Sequence, residues 1–374
     1  MAKILVTGGA GFIGSHLVDE LLRQGHTVTV FDNLEPQVHG DRGDVPEYLN
    51  PAARFIRGYL RDRSALDKAL IGHEIIFHQA AMVGVGQSMY QIARYMETNT
   101  LGTANLLDLV INKHKDGVRK VVVASSMSIY GEGAYSCSQC GDMAPGARDE
   151  AAMVQGRWEH YCPRCGTVLL SKATPETKRL HPTSIYALSK KDQEDMTLML
   201  GKYYGVPTVA LRYFNVYGPR QSLSNPYTGV CAIFSSRIKN DNPPIIYEDG
   251  LQSRDFVSVH DVVRANILAM QKKEADHQAF NIGTGIATSI LDIATVLSAL
   301  YQREITPLVE KKYRAGDIRH CIADITKARM VLGYEPEISF DHGMRELVLW
   351  GKKVEAVDRV EMAIEELKKR GLSD

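Results

Sequence analysis

The N-terminal part of the chain alternates between short apolar runs and longer segments in which apolar residues recur every three or four positions. The short runs are typical of strands buried on both faces, and the longer segments are typical of amphipathic helices. The predicted strands are residues 2–6, 27–31, 54–58, 74–81, 120–126 and 207–212, and the two longest predicted helices are residues 90–113 and 184–204. Strands that alternate with helices build a parallel sheet covered on both faces. The pattern therefore predicts an α/β fold with a doubly wound parallel sheet.

The composition is that of a globular protein with more than one lobe. The chain has 374 residues, of which 44% are hydrophobic and 24% are charged. Lysine plus arginine and aspartate plus glutamate both number 44, so no overall charge attracts nucleic acid or a membrane surface. The N-terminus shows no basic segment followed by an apolar one, and no apolar run reaches the roughly 18 residues of a membrane span. We therefore expect a cytoplasmic protein with no nucleic-acid or membrane partner.

The first predicted strand runs into a glycine-rich turn, residues 7–14, and an apolar-periodic helix follows. A strand, a glycine turn and a helix start together form a phosphate site, because main-chain amides are free and no side chain blocks a pyrophosphate. The second predicted strand ends in Asp32, whose carboxylate can accept hydrogen bonds from ribose hydroxyls and would repel a 2′-phosphate. These features predict a Rossmann dinucleotide site that prefers NAD to NADP.

Tyr186 and Lys190 are separated by one turn of the second long predicted helix. At this spacing both side chains leave the same helix face, so a phenol and an ammonium can point into one pocket. An ammonium about 4 Å from the phenol, helped by the positive charge of oxidised NAD, could lower the pKa of tyrosine from ~10 to roughly 7. We therefore expect Lys190 to make Tyr186 a base that takes a proton from an alcohol.

These features belong to an ordered series of motifs. The motifs are Thr-Gly-Gly-x-Gly-Phe-Ile-Gly at 7–14, Asp32, Phe-His-Gln-Ala-Ala at 77–81, Asn99, Ser-Ser at 125–126, Tyr-x-x-x-Lys at 186–190 and Arg-Tyr-Phe-Asn-Val-Tyr-Gly-Pro-Arg at 212–220. Over about residues 3 to 350, the chain resembles the extended short-chain dehydrogenases/reductases of the nucleotide-sugar epimerase/dehydratase family. The resemblance implies a Rossmann fold with a smaller C-terminal substrate lobe, NAD as cofactor, a nucleotide-diphosphate sugar as substrate and a homodimer.

The resemblance also implies roles for individual residues. Tyr186, Lys190 and Ser126 match the catalytic residues of the family. The positions that match its cofactor-binding residues are Gly8, Gly11, Phe12, Ile13, Gly14, Asp32, Asn33, Leu60, Ala80, Ala81, Asn99, Tyr186 and Lys190. Those that match its substrate-binding residues are Ser126, Ser128, Asn215, Arg220, Arg254 and Arg314. The arginines suit diphosphate oxygens, whereas Asn99 could instead bond the backbone of a kinked helix.

Three positions depart from the family pattern or discriminate among its reactions. Tyr59 stands where the family commonly has an aspartate near the adenine amine, so adenine recognition would rest on main-chain groups. Family 4,6-dehydratases carry Asp-Glu after the serine, because loss of water needs an acid and a base. Met127 and Ser128 supply neither. The remaining simple outcome is oxidation at sugar carbon 4 and hydride return to the opposite face, which is 4-epimerisation with NAD regenerated.

The substrate stays open at this stage. Residues 82–90, 125–133 and 224–230 resemble the branch of the family that interconverts dTDP-L-rhamnose and dTDP-6-deoxy-L-talose. A UDP-sugar 4-epimerase of the glucose/galactose or uronic acid type is the alternative. A non-catalytic NAD-binding regulator with a metal ribbon as interaction module is a further alternative, which the presence of Ser126, Tyr186 and Lys190 disfavours.

Two Cys-x-x-Cys-Gly motifs lie in a stretch that lengthens the connection between Tyr130 and Tyr186. Their cysteines are Cys137, Cys140, Cys162 and Cys165. Two such pairs are typical of a structural zinc ribbon, whose four thiolates leave no open position on the metal. Zinc is the expected metal and iron is the alternative, because similar motifs hold iron in rubredoxins.

From these assignments we divide the chain into five parts. Residues 1–133 are the first part of the dinucleotide-binding domain, 134–175 the zinc-ribbon insertion, 176–215 the catalytic helix and sixth strand of that domain, 216–354 mainly the substrate lobe and 355–374 a C-terminal helix. The insertion begins shortly after Ser126 and ends before Tyr186, so we expect a metal-ordered flap beside the substrate pocket. The C-terminal helix is charged and amphipathic, and we assign it no chemistry.

Overall fold

The computed structural model describes residues 1–41, 43–314 and 316–372, so residues 373 and 374 of the predicted C-terminal helix lie outside it. The strands are β1 (Lys3–Thr7), β2 (Thr27–Asp32), β3 (Arg54–Arg57), β4 (Ile75–His78), β5 (Lys120–Ser126), β6 (Ala134–Cys137), β7 (Gly141–Met143), β8 (Leu170–Thr174), β9 (Thr208–Tyr213), β10 (Asn215–Tyr217), β11 (Ile245–Ile246), β12 (Ser253–Ser258), β13 (Gln278–Ile282), β14 (Ala287–Ser289), β15 (Leu308–Val309) and β16 (His320–Ala323). The α-helices are α1 (Phe12–Arg23), α2 (Pro36–His39), α3 (Arg63–Leu70), α4 (Val85–Ser88), α5 (Ile92–Tyr95), α6 (Gly102–Leu109), α7 (Glu150–Val154), α8 (Ile185–Tyr204), α9 (Val230–Lys239), α10 (Val259–Gln271), α11 (Ile290–Tyr301), α12 (Phe340–Lys353) and α13 (Val360–Lys369). None of these helices combines the length and the apolar character needed to cross a membrane.

The first sheet has seven parallel strands in the order β13-β9-β5-β4-β1-β2-β3. The chain builds outwards from β1 through β2 to β3 and then crosses to β4, so β1 and β4 flank the point where the strand order reverses. This arrangement confirms the predicted α/β fold with a doubly wound parallel sheet. All six predicted strands are present, and β13 adds a seventh from the segment predicted to be mainly substrate lobe.

The buried strands carry apolar residues on both faces, because helices cover both sides of the sheet. In β1, Ile4 and Val6 pack in one apolar cluster with residues of α1 and α10, whereas Leu5 between them packs with residues of α3 and α6. All three side chains are fully buried. The alternation of side chains along a strand therefore joins two helical layers to one sheet.

Helix α8 is fixed at its start and along its length. The Ser184 hydroxyl accepts a hydrogen bond from Ala187 N at 3.1 Å, which caps the first turn. Further along, the Glu194 carboxylate accepts from Arg212 of β9 at 2.5 Å and from the Ser125 hydroxyl of β5 at 2.6 Å. These buried contacts hold α8 against the sheet and fix the direction in which its side chains point.

The other long predicted helix is helical from Ile92 to His114, but two of its segments have π-helical geometry. They are Met96–Leu101 and Val110–His114. An inserted residue in a helix re-aims neighbouring side chains and often occurs near functional sites. Asn99 lies in the first π-helical segment.

A second sheet runs through the substrate lobe into the insertion, in the order β10-β12-β16-β8-β6-β7. Within the insertion, β6 pairs antiparallel with both β7 and β8. Strand β8 then pairs in parallel with β16 of the substrate lobe. The insertion is thus a continuation of the lobe's own sheet, which anchors it more firmly than the flap expected from its sequence position.

The substrate lobe has its own apolar core between β10, β12 and three helices. Phe234 of α9, Leu297 of α11 and Leu347 of α12 are buried in one cluster with Tyr217 and Phe256. A short pair of parallel strands, β11 and β15, lies outside the second sheet. This lobe places α9 and the loops around β12 opposite the carboxyl ends of the first sheet.

Candidate active site

A cavity of about 710 Å³ lies at the carboxyl ends of the first sheet and is lined by residues of both lobes. Twelve of the thirteen predicted cofactor positions line it, namely Gly8, Gly11, Phe12, Ile13, Gly14, Asp32, Asn33, Leu60, Ala80, Ala81, Tyr186 and Lys190. Five of the six predicted substrate positions do so as well, namely Ser126, Ser128, Asn215, Arg254 and Arg314. The structure does not bring Asn99 or Arg220 into this lining. Ligands of open α/β sheets bind at such an edge, where the strand order reverses.

The glycine turn between β1 and α1 is packed too closely for side chains. Gly8 has a φ of +69°, and a Cβ there would lie 2.6 Å from Ala80 N. A Cβ on Gly14 would lie 2.2 Å from Gly8 O. Both glycines are therefore needed for the turn itself. The amides of Gly8, Ala10 and Gly11 are bonded within the protein, and the turn brings the start of α1, at Phe12 and Ile13, to the cavity.

Asp32 at the end of β2 is buried and supports the turn. Its carboxylate accepts hydrogen bonds from Ala10 N at 3.0 Å and Leu34 N at 2.9 Å. Each carboxylate oxygen retains further acceptor capacity toward the cavity. Tyr59, at the position where the family has an aspartate, also lines the cavity and is stacked under the Arg61 guanidinium at 5.0 Å.

Tyr186 lies in the first turn of α8, opposite Ser126 at the end of β5. Its main-chain N donates to the Ser88 hydroxyl at 3.0 Å, which fixes the start of α8 against α4. Burial raises the pKa of the Tyr186 phenol, and a hydrogen bond with Ser126 opposes that effect. The Ser126 hydroxyl in turn accepts from the Ser128 hydroxyl at 2.9 Å. A phenol and two hydroxyls therefore converge on one corner of the cavity.

Lys190 is buried one turn after Tyr186, but its ammonium is directed elsewhere. Nζ donates to Gln193 Oε1 at 2.5 Å. Burial lowers the pKa of Lys190 to about 7, and the charge of Glu194 opposes this effect. The expectation that Lys190, together with the charge of oxidised NAD, lowers the pKa of Tyr186 stays a prediction. A buried ammonium needs an acceptor, and Gln193 supplies it one turn further along the helix while the Glu194 carboxylate is bonded to Arg212 and Ser125.

Behind Lys190 lies a buried chain of polar side chains. Gln193 Nε2 donates to the Thr103 hydroxyl at 2.7 Å, and His78 lies 2.8 Å from both that hydroxyl and the hydroxyl of Thr7. Burial, together with the nearby charge of Lys190, lowers the pKa of His78 to about 3. His78 is therefore neutral at neutral pH. The chain connects the end of β1, next to the glycine turn, with the ammonium of Lys190.

Asn99 acts on a loop of the cavity rather than on its interior. Its side chain accepts from Met82 N at 2.7 Å, donates to Met82 O at 3.0 Å and donates to the Ser189 hydroxyl at 2.9 Å. Its carbonyl accepts from the Thr103 hydroxyl at 2.6 Å. These bonds satisfy the opened π-helical turn and tie the loop after β4 to α8.

Three predicted substrate residues offer polar groups to the far end of the cavity. Asn215 Oδ1 and Arg314 Nε are buried without a hydrogen-bond partner among the described residues. The Arg314 guanidinium lies 4.1 Å from the centre of the Tyr247 ring. Arg254 is already bonded to the carbonyls of residues 253, 318 and 319 and to Asp317. Unsatisfied donors and acceptors at buried positions suit a polar ligand such as a diphosphate.

Arg220 lies away from this end of the cavity. It has a φ of +67°, forms an ion pair with Asp19 of α1 at 2.7 Å and lies 5.4 Å above the ring of Tyr48. Tyr48 donates to Ala10 O at 3.0 Å. Arg220 therefore connects the loop after β10 to the outer side of the glycine turn, because it pairs with Asp19 and lies over the ring of Tyr48.

The four cysteines of the insertion form one cluster. The Sγ atoms of Cys137, Cys140, Cys162 and Cys165 all lie within 4.8 Å of one another. All four are free thiols, and Cys137 Sγ lies 3.4 Å from Cys165 Sγ. Such spacing fits the four vertices of a tetrahedral thiolate site.

A buried network of charges joins the insertion to the substrate lobe. Arg319, which is 1% exposed, donates to Glu159 of the insertion at 2.6 Å and to Glu248 at 2.9 Å. Arg148 of the insertion donates to Glu248 at 2.6 Å. The carbonyl of Arg319 accepts from Arg254 at 2.9 Å. The insertion is therefore linked through Arg319, the residue before β16, to Arg254, which lines the cavity.

Several cavity residues carried no signal that we used at the sequence level. Arg237 of α9 and the apolar face of α13 line the cavity. Gln193 could have been identified, because it stands three residues after Lys190 and so shares its helix face. The contribution of α13 depends on a long-range contact, which local sequence does not reveal.

Comparisons with known proteins agree with this geometry. Residues 4–147 match the model of the NAD dependent epimerase/dehydratase family, and residues 166–347 match that of GDP-mannose 4,6 dehydratase. The dTDP-L-rhamnose 4-epimerase of Burkholderia thailandensis is 37% identical over 350 residues, which are 93% of this chain and 94% of that protein. The chain belongs to the NAD dependent epimerase/dehydratase family. This confirms the resemblance identified in the sequence, and the residues between the two matched segments fall inside the cysteine insertion.

Other members of the family are similar over most of the chain. A putative UDP-glucose 4-epimerase of Methanocaldococcus jannaschii is 33% identical, with 93% of this chain and 98% of that protein covered. The crystal structure of the UDP-glucose 4-epimerase of Thermotoga maritima with UDP-glucose superposes with a TM-score of 0.76 at 35% identity, covering 94% of this chain and 99% of that chain. The UDP-glucuronic acid 4-epimerase of Bacillus cereus, solved with UDP-glucuronic acid and NAD, gives 0.75 at 28% identity, covering 94% and 100%.

Proposed function

We propose that this protein is an NAD-dependent nucleotide-diphosphate-sugar 4-epimerase. The observation that carries the proposal is the corner of the cavity where Tyr186, Ser126 and Ser128 converge beside the glycine turn. The turn fits NAD, because Gly8 and Gly14 leave no side chain in the way, the first turn of α1 lies at the cavity, and Asp32 stands at the ribose position of such sites. NAD supplies the hydride acceptor when it is bound.

The residues of the chain move the proton. Tyr186 Oη takes the proton of the hydroxyl at sugar carbon 4 while the C4–H bond breaks and its electron pair leaves with the hydride. Ser126 donates to the sugar oxygen as it becomes a carbonyl, and Ser128 holds the Ser126 hydroxyl. After the 4-keto sugar rotates, hydride returns to its other face and Tyr186 gives the proton back. The proposed role of Lys190 is to keep a positive charge beneath this pair.

The absence of an acid beside Ser126 favours epimerisation over dehydration. Among the described residues that line the cavity, the carboxylates are Asp32, Glu35 and Asp317. Asp32 bonds the glycine turn, Glu35 pairs with Arg94, and Asp317 pairs with Arg254. Met127 is buried and Ser128 carries only a hydroxyl. Neither can protonate a leaving hydroxyl and remove the neighbouring proton.

The proposed substrate is a dTDP-6-deoxy sugar, with dTDP-L-rhamnose and dTDP-6-deoxy-L-talose as the interconverted pair. The similarity to the epimerase of B. thailandensis supports this choice. A UDP-sugar 4-epimerase of the glucose/galactose or uronic acid type is the second candidate, supported by the likeness to UDP-glucose and UDP-glucuronate epimerases. In either case, Asn215, Arg254 and Arg314 are proposed to hold the diphosphate.

The cysteine cluster is proposed to hold one structural zinc ion, with iron as the alternative metal. Four thiolates fill a tetrahedral shell, so the ion would have no open position for substrate or water. Free thiols at this spacing suit a reducing compartment, and we propose that the protein is cytoplasmic. We also propose a homodimer that pairs α8 and the helical segment 92–114, on which Leu101, Leu188, Met199 and Tyr203 are exposed.

The decisive experiment follows the hydrogen on sugar carbon 4. Substrate deuterated at carbon 4 is incubated with the protein in ordinary water, and the product is analysed by mass spectrometry and proton couplings. We expect the 4-epimer with its label retained, no product lighter by one water and no net release of reduced cofactor. Loss of the label to solvent, or a dehydrated product, would contradict the proposal. A panel of dTDP-, UDP- and GDP-sugars run in parallel identifies the substrate.

A further inference from the structure

Helix α13 at the C-terminus lies against the cavity. Val360, Ala363, Ile364 and Leu367 all line it. They are spaced three and four residues apart, so they form one apolar stripe along the helix. The opposite face carries exposed residues such as Glu361 and Met362.

The burial of this stripe is not explained by an apolar core. Val360, Ala363 and Leu367 are buried, yet they belong to none of the hydrophobic clusters formed by the described residues. Their side chains pack at the edge of the cavity, with Leu367 against Gly86, and border the cavity with a small exposed fraction, which is 5% for Leu367. Apolar side chains that line a cavity rather than a core are available to a ligand.

The start of α13 is held by the substrate lobe. The Arg237 guanidinium of α9, which is 3% exposed, forms ion pairs with Asp358 at 3.2 Å and Glu361 at 3.4 Å. Asn242 donates to Asp358 at 2.7 Å, and Val357 N donates to the Ser224 hydroxyl at 2.9 Å. The helix is therefore docked in a defined orientation by polar contacts.

The end of α13 reaches the other side of the cavity. A Cβ on Gly86 of α4 would lie 3.2 Å from Leu367 Cδ2, so the helix passes close to this loop. The Arg370 guanidinium lies 4.3 Å from the ring of Tyr90, and Tyr90 bonds the hydroxyl of Tyr227 at 2.7 Å. Gly86 stands two residues before Ser88, whose hydroxyl accepts from the main-chain N of Tyr186. Leu367 therefore packs against the segment that contacts the proposed catalytic tyrosine.

We propose that α13 is the outer wall of the substrate cavity and selects a nucleotide-diphosphate sugar that carries a methyl group. The stripe offers only apolar surface. Contact with a methyl group makes the binding free energy of a ligand more favourable, whereas desolvating a hydroxyl or a carboxylate against this surface makes it less favourable. The methyl has two sources, carbon 6 of a 6-deoxy sugar or carbon 5 of thymine. This inference rests on the proposed function and adds the residues that decide which substrate is accepted.

The test is binding of four ligands to the NAD-loaded protein, measured by calorimetry. The ligands are dTDP, UDP, dTDP-L-rhamnose and UDP-glucose. Leu367→Asp is compared with Met362→Asp, which puts the same charge on the exposed face of the same helix. We expect Leu367→Asp to lower the affinity for dTDP-L-rhamnose at least tenfold more than the affinity for UDP-glucose. Met362→Asp should leave both affinities within twofold of the wild-type values. Affinity for NAD reports whether the fold is intact.

The free nucleotides identify the methyl. If dTDP loses its advantage over UDP in Leu367→Asp, the wall contacts thymine; if both nucleotides are unaffected while dTDP-L-rhamnose is weakened, it contacts the sugar. The proposal is overturned if Leu367→Asp changes nothing, or if it weakens methylated and unmethylated ligands equally. If Leu367→Asp no longer binds NAD, Leu367→Ala replaces it in the test. We then expect the affinity for the methylated ligand to fall about threefold more than that for the unmethylated one. Because no turnover is needed, a protein that binds these ligands without epimerising them would refute only the proposed function.

Discussion

Lys190 Nζ donates its hydrogen bond to Gln193 Oε1 at 2.5 Å, and Gln193 in turn bonds Thr103 next to His78. The ammonium is therefore positioned by residues that do not line the cavity. Burial lowers the pKa of Lys190 to about 7, and the charge of Glu194 opposes this effect. A hydrogen bond from the ammonium to Gln193 also favours the charged form. We regard Gln193 as a positioning residue for Lys190.

Gln193→Leu should remove that acceptor and leave the ammonium buried without a partner. We expect the pKa of Lys190 to fall further, so the alkaline limb of the rate profile should move to lower pH and turnover at pH 7 should fall about tenfold. The pH dependence of kcat measures this. Lys191→Ala, which changes the half-buried neighbouring residue that pairs with Asp195, is the control and should leave the profile unchanged. An unshifted limb in Gln193→Leu would show that Gln193 only fills space.

Tyr186→Phe should lower turnover by roughly 10² or more, because no other group at the Ser126 corner can accept the proton. Binding of NAD should be retained, because the glycine turn and Asp32 are untouched. Single-turnover kinetics and NAD titration separate the two effects. A variant with near-normal turnover would remove Tyr186 from the mechanism.

His78 should make the protein sensitive to mild acid. Its pKa in the folded state is about 3, below the ~6.5 of an unfolded chain, so the unfolded state binds more protons between these values. Stability is therefore complete above about pH 6.5 and falls as the pH drops, by about 2 kcal/mol at pH 5. Urea denaturation at pH 7 and pH 5 measures the loss. His78→Asn should reduce the difference, whereas His342→Asn, at an exposed position, should not.

Metal removal should act on substrate binding before it acts on chemistry. Cys140→Ser should lose the metal and loosen the insertion, whose Glu159 and Arg148 hold Arg319 and Glu248 near Arg254. We therefore expect the KM for the nucleotide sugar to rise more than kcat falls. Elemental analysis should find one zinc or iron per wild-type chain, and Ser138→Ala, between two ligands, should keep it. A metal-free wild-type protein, or a disulfide in reduced preparations, would end the ribbon assignment.

The fold was largely predictable because its signals are local. The six predicted strands and α8 follow from apolar runs and from spacing within a few residues. The cysteine pairs are recognised from the spacing of their residues in the same way. The family resemblance supplied the residues of the cavity, whose roles stay predictions, as do the domain bounds. Strand β13 was missed because it joins the sheet from far along the chain.

The contacts that depend on three-dimensional packing could not be predicted. Lys190 has two acceptors at helical spacing, Gln193 and Glu194, and both are buried. The ammonium bonds Gln193, while Glu194 is bonded to Arg212 and Ser125 of the neighbouring strands, which only the folded structure shows. Helix α13 has charged residues along its exposed face, so its sequence is that of any surface helix. Its docking depends on Arg237, more than a hundred residues earlier, which no local pattern connects to it.

The pairing of β8 with β16 also affects how the protein behaves in concentrated solution. An unpaired strand at the edge of a sheet is a template for association with other chains. Here β8 of the insertion covers the edge of β16 in the substrate lobe. The strand that then forms the edge of the sheet, β7, is only three residues long. The cysteine insertion therefore also shields the sheet from self-association, and a chain that fails to order it would precipitate while most of its fold is still intact.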